Sequence, residues 1–193
     1  SEGDLTALEN KAAIHNLQLE VSTCGIKPNH LITYLGLAKR LQSPILRTII
    51  DTPDHHPTIA EVIDLLKESL PTFVNAGICL AIENHDRFKV KELIQILKAV
   101  DSSYLGVCLD TVNSFGALEG PETVVNALAP WTLNLHIKDF EIQRASHRMG
   151  FMISGTPAGQ GRLDIPWLLK TLKSYGREFN AILELWTPPQ DGI

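Results

Sequence analysis

Cysteine is scarce in this chain, with three residues among 193, and aromatic residues make up only 6%. Three is an odd number and the three are far apart in sequence, so a disulfide framework is not expected. Cys79 and Cys108 fall inside apolar runs, GICLAIE and LGVCLDT, where a free thiol packs as a small hydrophobe. That usage points to a reducing, cytoplasmic setting. No apolar run approaches the roughly 18–20 residues that span a bilayer, and the opening SEGDLTALEN is polar, unlike a signal sequence. No membrane partner is therefore expected. Positive charge is also short: 17 Lys and Arg against 22 Asp and Glu give a net charge of −5, with a pI near 5.8. That balance argues against a nucleic-acid-binding surface spread over the whole domain, so no nucleic-acid partner is expected, although it leaves room for a local basic patch. What is present is ordinary globular composition, 44% hydrophobic and 20% charged, in a chain whose length fits a single domain over 1–193.

Hydrophobic patterning alternates strand and helix. Strand-like runs fall at Leu17–Ser22, Ile45–Asp51, Ile78–Asn84, Leu105–Thr111, Leu133–Asp139 and Ala181–Trp186. They are short, rich in Ile, Leu and Val, and only partly alternating, as parallel strands buried on both faces should be. Helical periodicity marks Leu5–Ile14, Asn29–Leu41, Pro57–Ala76, Phe88–Val100, Glu122–Leu128 and Pro166–Tyr175, and Gly77 and Gly176 stand where helices should stop. Most strands recur at about 27 residues, the size of a βα unit. One interval is too long: His136 to Glu184 is 48 residues. A short seventh strand at Met149–Ile153 fills that gap. The expected fold is therefore α/β, a (β/α)8 TIM barrel of the kind that takes roughly 250 residues, incomplete in this chain, with the first strand and the last helix missing.

Four polar residues interrupt these apolar strands near their C-terminal ends: Glu83 in AIENH, Asp110 in CLDT, His136 in LHIKD and Glu184 in LELW. Strand C-termini form the functional face of a parallel α/β fold. Three carboxylates converging there would repel one another and take up protons. A divalent metal resolves the conflict, and three carboxylates with one imidazole suit Mn, Mg, Co or Zn with positions left for substrate oxygens.

The ordered set AIENH, CLDTVNSFG, LHIKDF, PAGQGRLDIPWLL and ILELW resembles the xylose isomerase-like TIM-barrel superfamily, also called AP endonuclease family 2, and within it the sugar isomerase/epimerase branch. The resemblance runs from about Leu17 to Trp186. It implies one divalent metal held by Glu83, Asp110, His136 and Glu184, with Glu83 and Glu184 also acting as catalytic acid and base. The chemistry has its own logic. A metal chelating a carbonyl and a neighbouring hydroxyl acidifies the C–H between them and stabilises the enediolate, so that two carboxylates can act as the base that removes the proton and the acid that returns it. Many members carry a substrate-contacting His three residues after the metal-binding Asp. Here that position is Asn113, which can bond a hydroxyl but cannot carry a proton near neutral pH.

Further substrate-binding candidates follow from placement. Lys138 lies two residues beyond His136 and shares its face, and His85 lies two beyond Glu83. Arg144, Arg148 and Arg162 fall in a Gly-rich stretch without acids, which reads as a loop whose guanidinium forks clamp a carboxylate or phosphate. The leading expectation is a metal-dependent isomerase or epimerase of a small sugar or sugar acid. The alternative is a metal-dependent lyase, a decarboxylase or dehydratase of an oxidised sugar acid. The DNA-repair branch of the superfamily, with several zinc ions and more histidine ligands, fits less well. The partner is then a small-molecule sugar or sugar acid, and a homo-oligomer is compatible with the sequence.

Overall fold

The structure is a computed structural model that describes residues 2–147, 149–176 and 178–186. The chain divides into two compact units, Ser1–Ile82 with Ile96–Gly106, and Glu83–Gln95 with Val107–Ile193. The strands β1 (Val21–Cys24), β2 (Ile45–Ile49), β3 (Cys79–Glu83), β4 (Leu105–Asp110), β5 (Thr132–Ile137) and β8 (Asn180–Leu183) form one six-stranded sheet in the order β1-β2-β3-β4-β5-β8. The pairs β1/β2, β2/β3, β4/β5 and β5/β8 are parallel. Every residue of β4 is buried, which explains why its sequence does not alternate.

In the first unit, α1 (Glu2–Ile14), α2 (Pro28–Arg40) and α3 (Ile59–Ala76) alternate with β1 to β3. Pro28 suits the first turn of α2, whose Leu31, Leu35 and Ala38 are buried. A capping box starts α3, with Thr58 accepting from the Glu61 N–H and the Glu61 carboxylate accepting from Thr58 N–H. Gly77 stops it in the left-handed conformation, φ +67°. Fully buried Leu35, Leu46, Leu66, Phe73 and Leu80 fill this unit's core.

Further along the chain, α4 (Val90–Val100), a 3-10 turn at Asn113–Ala117, α5 (Pro121–Leu128) and α6 (Ile165–Ser174) connect the remaining strands. The expected seventh strand is present but belongs elsewhere. It is β7 (Phe151–Thr156), and it pairs antiparallel with β6 (Asp139–Arg144) in a separate two-stranded sheet. The short link between them forces this: a parallel crossover needs a dozen or more residues, whereas a hairpin needs only a few. Much of the basic, Gly-rich stretch read as a loop is therefore hairpin. Among the described residues the sheet counts six strands, with β1 and β8 as its outer members. Among the described residues no helix is long and apolar enough to cross a membrane.

Candidate active site

The site is built at strand ends of the second unit. Asp110 and His136 are register partners across β4 and β5, so their side chains emerge side by side. A register irregularity between Val107 and Cys108 lies just upstream of Asp110, the kind of defect that re-aims a strand end. His136 is opposite Ile182 of β8, and Glu184 lies two residues beyond it, its N–H donating to Ile137 O at 3.1 Å. Glu83 closes β3 and is buried. The fully buried Asn84 supplies ladder partners for Asp110: its Oδ1 accepts from Asp110 N–H at 2.8 Å and its Nδ2 donates to Asp110 O at 2.9 Å.

The four side chains stand together. His136 Nδ1 lies 2.9 Å from Glu184 Oε2 and 3.7 Å from Glu83 Oε2. Ligand atoms of Asp110, His136 and Glu184 lie within 4.8 Å of one another, as do those of Glu83, Cys108 and His136. Lys138 Nζ sits 2.9 Å from Asp110 Oδ2 and 3.2 Å from Glu184 Oε2. Three carboxylates against one ammonium leave two negative charges, which a divalent cation matches. The donor set therefore fits such an ion, with oxygen ligands predominating as Mg²⁺ and Mn²⁺ favour and an imidazole that Zn²⁺ and Co²⁺ also accept.

Asn113 and Lys138 link these groups. The Asp110 carboxylate caps the 3-10 turn, with Oδ1 accepting from the N–H groups of Val112 and Asn113 at 2.8 and 2.9 Å. That fixes Asn113, whose Nδ2 donates to Glu83 Oε1 at 2.7 Å while its Oδ1 accepts from Lys138 Nζ at 3.1 Å. Burial acts most strongly on the Lys138 ammonium and would lower its pKa. Asp110 and then Glu184 outweigh it through charge and hydrogen bonding, so the pKa is raised above the usual lysine value. Lys138 is a cation at neutral pH. A cavity of about 270 Å³ adjoins it, lined by Asp86, Asn113 and Lys138 and by apolar Val112, Phe115, Gly116, Ile153 and Trp186. That is room for a small, partly dehydrated molecule.

The other candidates stand apart from this cavity. His85 Nδ1 lies 3.2 Å from Asp86 Oδ2 and is partly exposed. Arg144 is exposed at the end of β6, opposite Phe151. Arg162 is also exposed and lines a separate groove with Phe115, Phe140 and Trp167. Arg148 lies outside the described residues. Sequence reasoning passed over Asp139, which is 2% exposed. Its Oδ1 accepts from Phe140 and Leu163 N–H at 2.8 and 3.0 Å, and its Oδ2 from Gly159 and Gly161 N–H, both at 2.9 Å. Burial alone would raise this carboxyl's pKa, but the four backbone donors outweigh it and hold the pKa below the usual carboxylate range. The KDF…GQGRL spacing was its only signal, and that signal becomes readable once the hairpin is known.

The chain belongs to the xylose isomerase-like TIM-barrel family, whose model matches residues 7–193. It is 37% identical over 190 residues to the 3-oxo-isoapionate decarboxylase of Pectobacterium atrosepticum, covering 98% of this chain and 69% of that one. Among solved structures it is similar to a xylose isomerase-like TIM-barrel protein from Mycobacterium smegmatis in complex with magnesium. That match has a TM-score of 0.76 and 15% identity, over 97% of this chain and 73% of the other. It is also similar to the D-psicose 3-epimerase of Clostridium cellulolyticum, with a TM-score of 0.74 and 13% identity, over 96% and 70% of the two chains. At these identities the solved structures speak for the fold alone. The fold is an incomplete (β/α)8 barrel, and the family is one of enzymes.

Proposed function

We propose that this chain is a divalent-metal-dependent lyase that releases CO2 from a 3-oxo sugar acid, the alternative rather than the leading expectation of the sequence. The reading rests on the placement of Lys138, whose ammonium both touches the ligand cluster and lines the adjoining cavity. A carboxylated sugar needs both features. The 37%-identical decarboxylase supports this outcome over isomerisation.

A cation held by Glu83, Asp110, His136 and Glu184 would, when bound, draw electron density from a substrate carbonyl and its neighbouring hydroxyl. The chain's own residues supply the rest. Lys138 offers a charge-assisted hydrogen bond to an anionic substrate oxygen. Asn113 orients a hydroxyl while bracing Glu83 and Lys138. Cleavage of the C–C bond leaves the electron pair on the carbon beside the carbonyl, and CO2 departs. That carbon then needs a proton, which Glu184, ionised in the resting cluster, takes from water and passes on. Its side chain is 41% exposed, so it can be recharged from water. Val112, Phe115, Ile153 and Trp186 give the cavity an apolar wall beside Lys138.

A second reading shares the first half of this chemistry. Glu83 and Glu184 both approach His136, and carboxylates so disposed can serve as base and acid in an epimerisation. An assay of CO2 release with Mn²⁺, offering 3-oxo-isoapionate beside neutral ketoses, separates the two. Decarboxylation that Glu184→Gln slows by about 10²–10⁴-fold supports the lyase. Turnover of neutral ketoses alone would replace it with the epimerase.

A further inference from the structure

Lys138 is the single residue between β5, which ends at Ile137, and β6, which begins at Asp139. The chain leaves the parallel sheet there, and both Lys138 and the Asp139 that follows it are clamped. On one side the buried Thr111 hydroxyl donates to Lys138 O at 2.8 Å and accepts from Lys138 N–H at 2.9 Å. On the other, the Asp139 carboxylate gathers the N–H groups of Phe140, Gly159, Gly161 and Leu163. Its own carbonyl accepts from Trp186 Nε1 at 3.2 Å. Three separate stretches of chain thus meet at one buried residue. Lys138 and Trp186 line the cavity, whereas Asp139 does not.

We propose that Asp139 is a positioning residue for the substrate cavity, setting the Lys138 ammonium and the Trp186 indole in place without touching substrate. This rests on the reading above in taking that cavity as the substrate site. The closeness of the clamp has a steric signature as well. A Cβ on Gly161 would collide with Asp139 Oδ1, Phe140 O and Thr156 Cγ2, so only glycine lets the loop approach the carboxylate.

The test uses Asp139→Asn, which turns an amide NH2 toward two backbone donors. The background is Trp131→Phe with Trp167→Phe, leaving Trp186 as the only one of three tryptophans. In the folded variant, Trp186 emission should shift to longer wavelength and acrylamide quenching should increase, while Mn²⁺ affinity stays unchanged. With 3-oxo-isoapionate as substrate, KM should rise about tenfold with kcat changed far less. If the unsubstituted chain does not turn over that compound, the proposed reaction fails, and the emission measurement alone decides the role of Asp139. If Asp139→Asn does not fold, Gly161→Ala breaks the same clamp from the loop side and is read in the same way. Unchanged emission and quenching in a folded variant would overturn the proposal, as would a loss of Mn²⁺ affinity matching the change in KM.

Discussion

Lys138 is the residue on which the proposed chemistry turns. It neutralises part of a three-carboxylate cluster and also faces the cavity. Lys138→Met should raise KM for an acidic substrate by about ten- to a hundredfold, equivalent to roughly 1.5–3 kcal/mol for a charge-assisted contact. Steady-state kinetics on an acidic and a neutral sugar, with an effect confined to the acid, would check this. Asp139 carries the pH dependence. Its folded pKa is depressed, so its stabilisation is fully present above the unfolded carboxyl value near 3.9 and is lost as pH falls through the lower folded value. Urea midpoints measured from neutral to acid pH should therefore fall steeply below about pH 4. Asp139→Asn should lower the neutral midpoint and flatten that acid limb.

At the scale of elements, the βα rhythm was legible because parallel strands and amphipathic helices differ in period and length. All six parallel strands and six α-helices occur where the patterning placed them, with ends displaced by a few residues, most at β1, which begins at Val21. The ends of α3 were legible for local reasons. Thr58 and Glu61 make a capping box, and Gly77 takes the left-handed conformation. Gly77→Ala should cost about 1 kcal/mol, seen as a lowered thermal midpoint without change in activity. The β6/β7 hairpin was not legible. LHIKDF reads as one uninterrupted strand, and nothing local marks Lys138 as the residue where the sheet ends and the hairpin begins. The basic stretch reads as a loop for the same reason, since Arg144 and Arg162 take their places from the hairpin and its following loop.

For the whole molecule, the strand ends of one compact unit bring Glu83, Asp110, His136, Glu184 and Lys138 together. Their side-by-side placement was readable from the βα spacing. The bond that is broken was not, because isomerases, epimerases and decarboxylases share the same electron-withdrawing first half. Proton delivery to carbon is common to all of them, and only the fate of the carboxyl carbon differs. The most direct measurement is NMR in D2O of the purified chain with Mn²⁺ and 3-oxo-isoapionate labelled with ¹³C at the carboxylate. The account predicts loss of the label as CO2 with one solvent deuterium on the carbon that carried it, both abolished by a chelator. Deuterium entering a product that keeps its labelled carboxylate would contradict it.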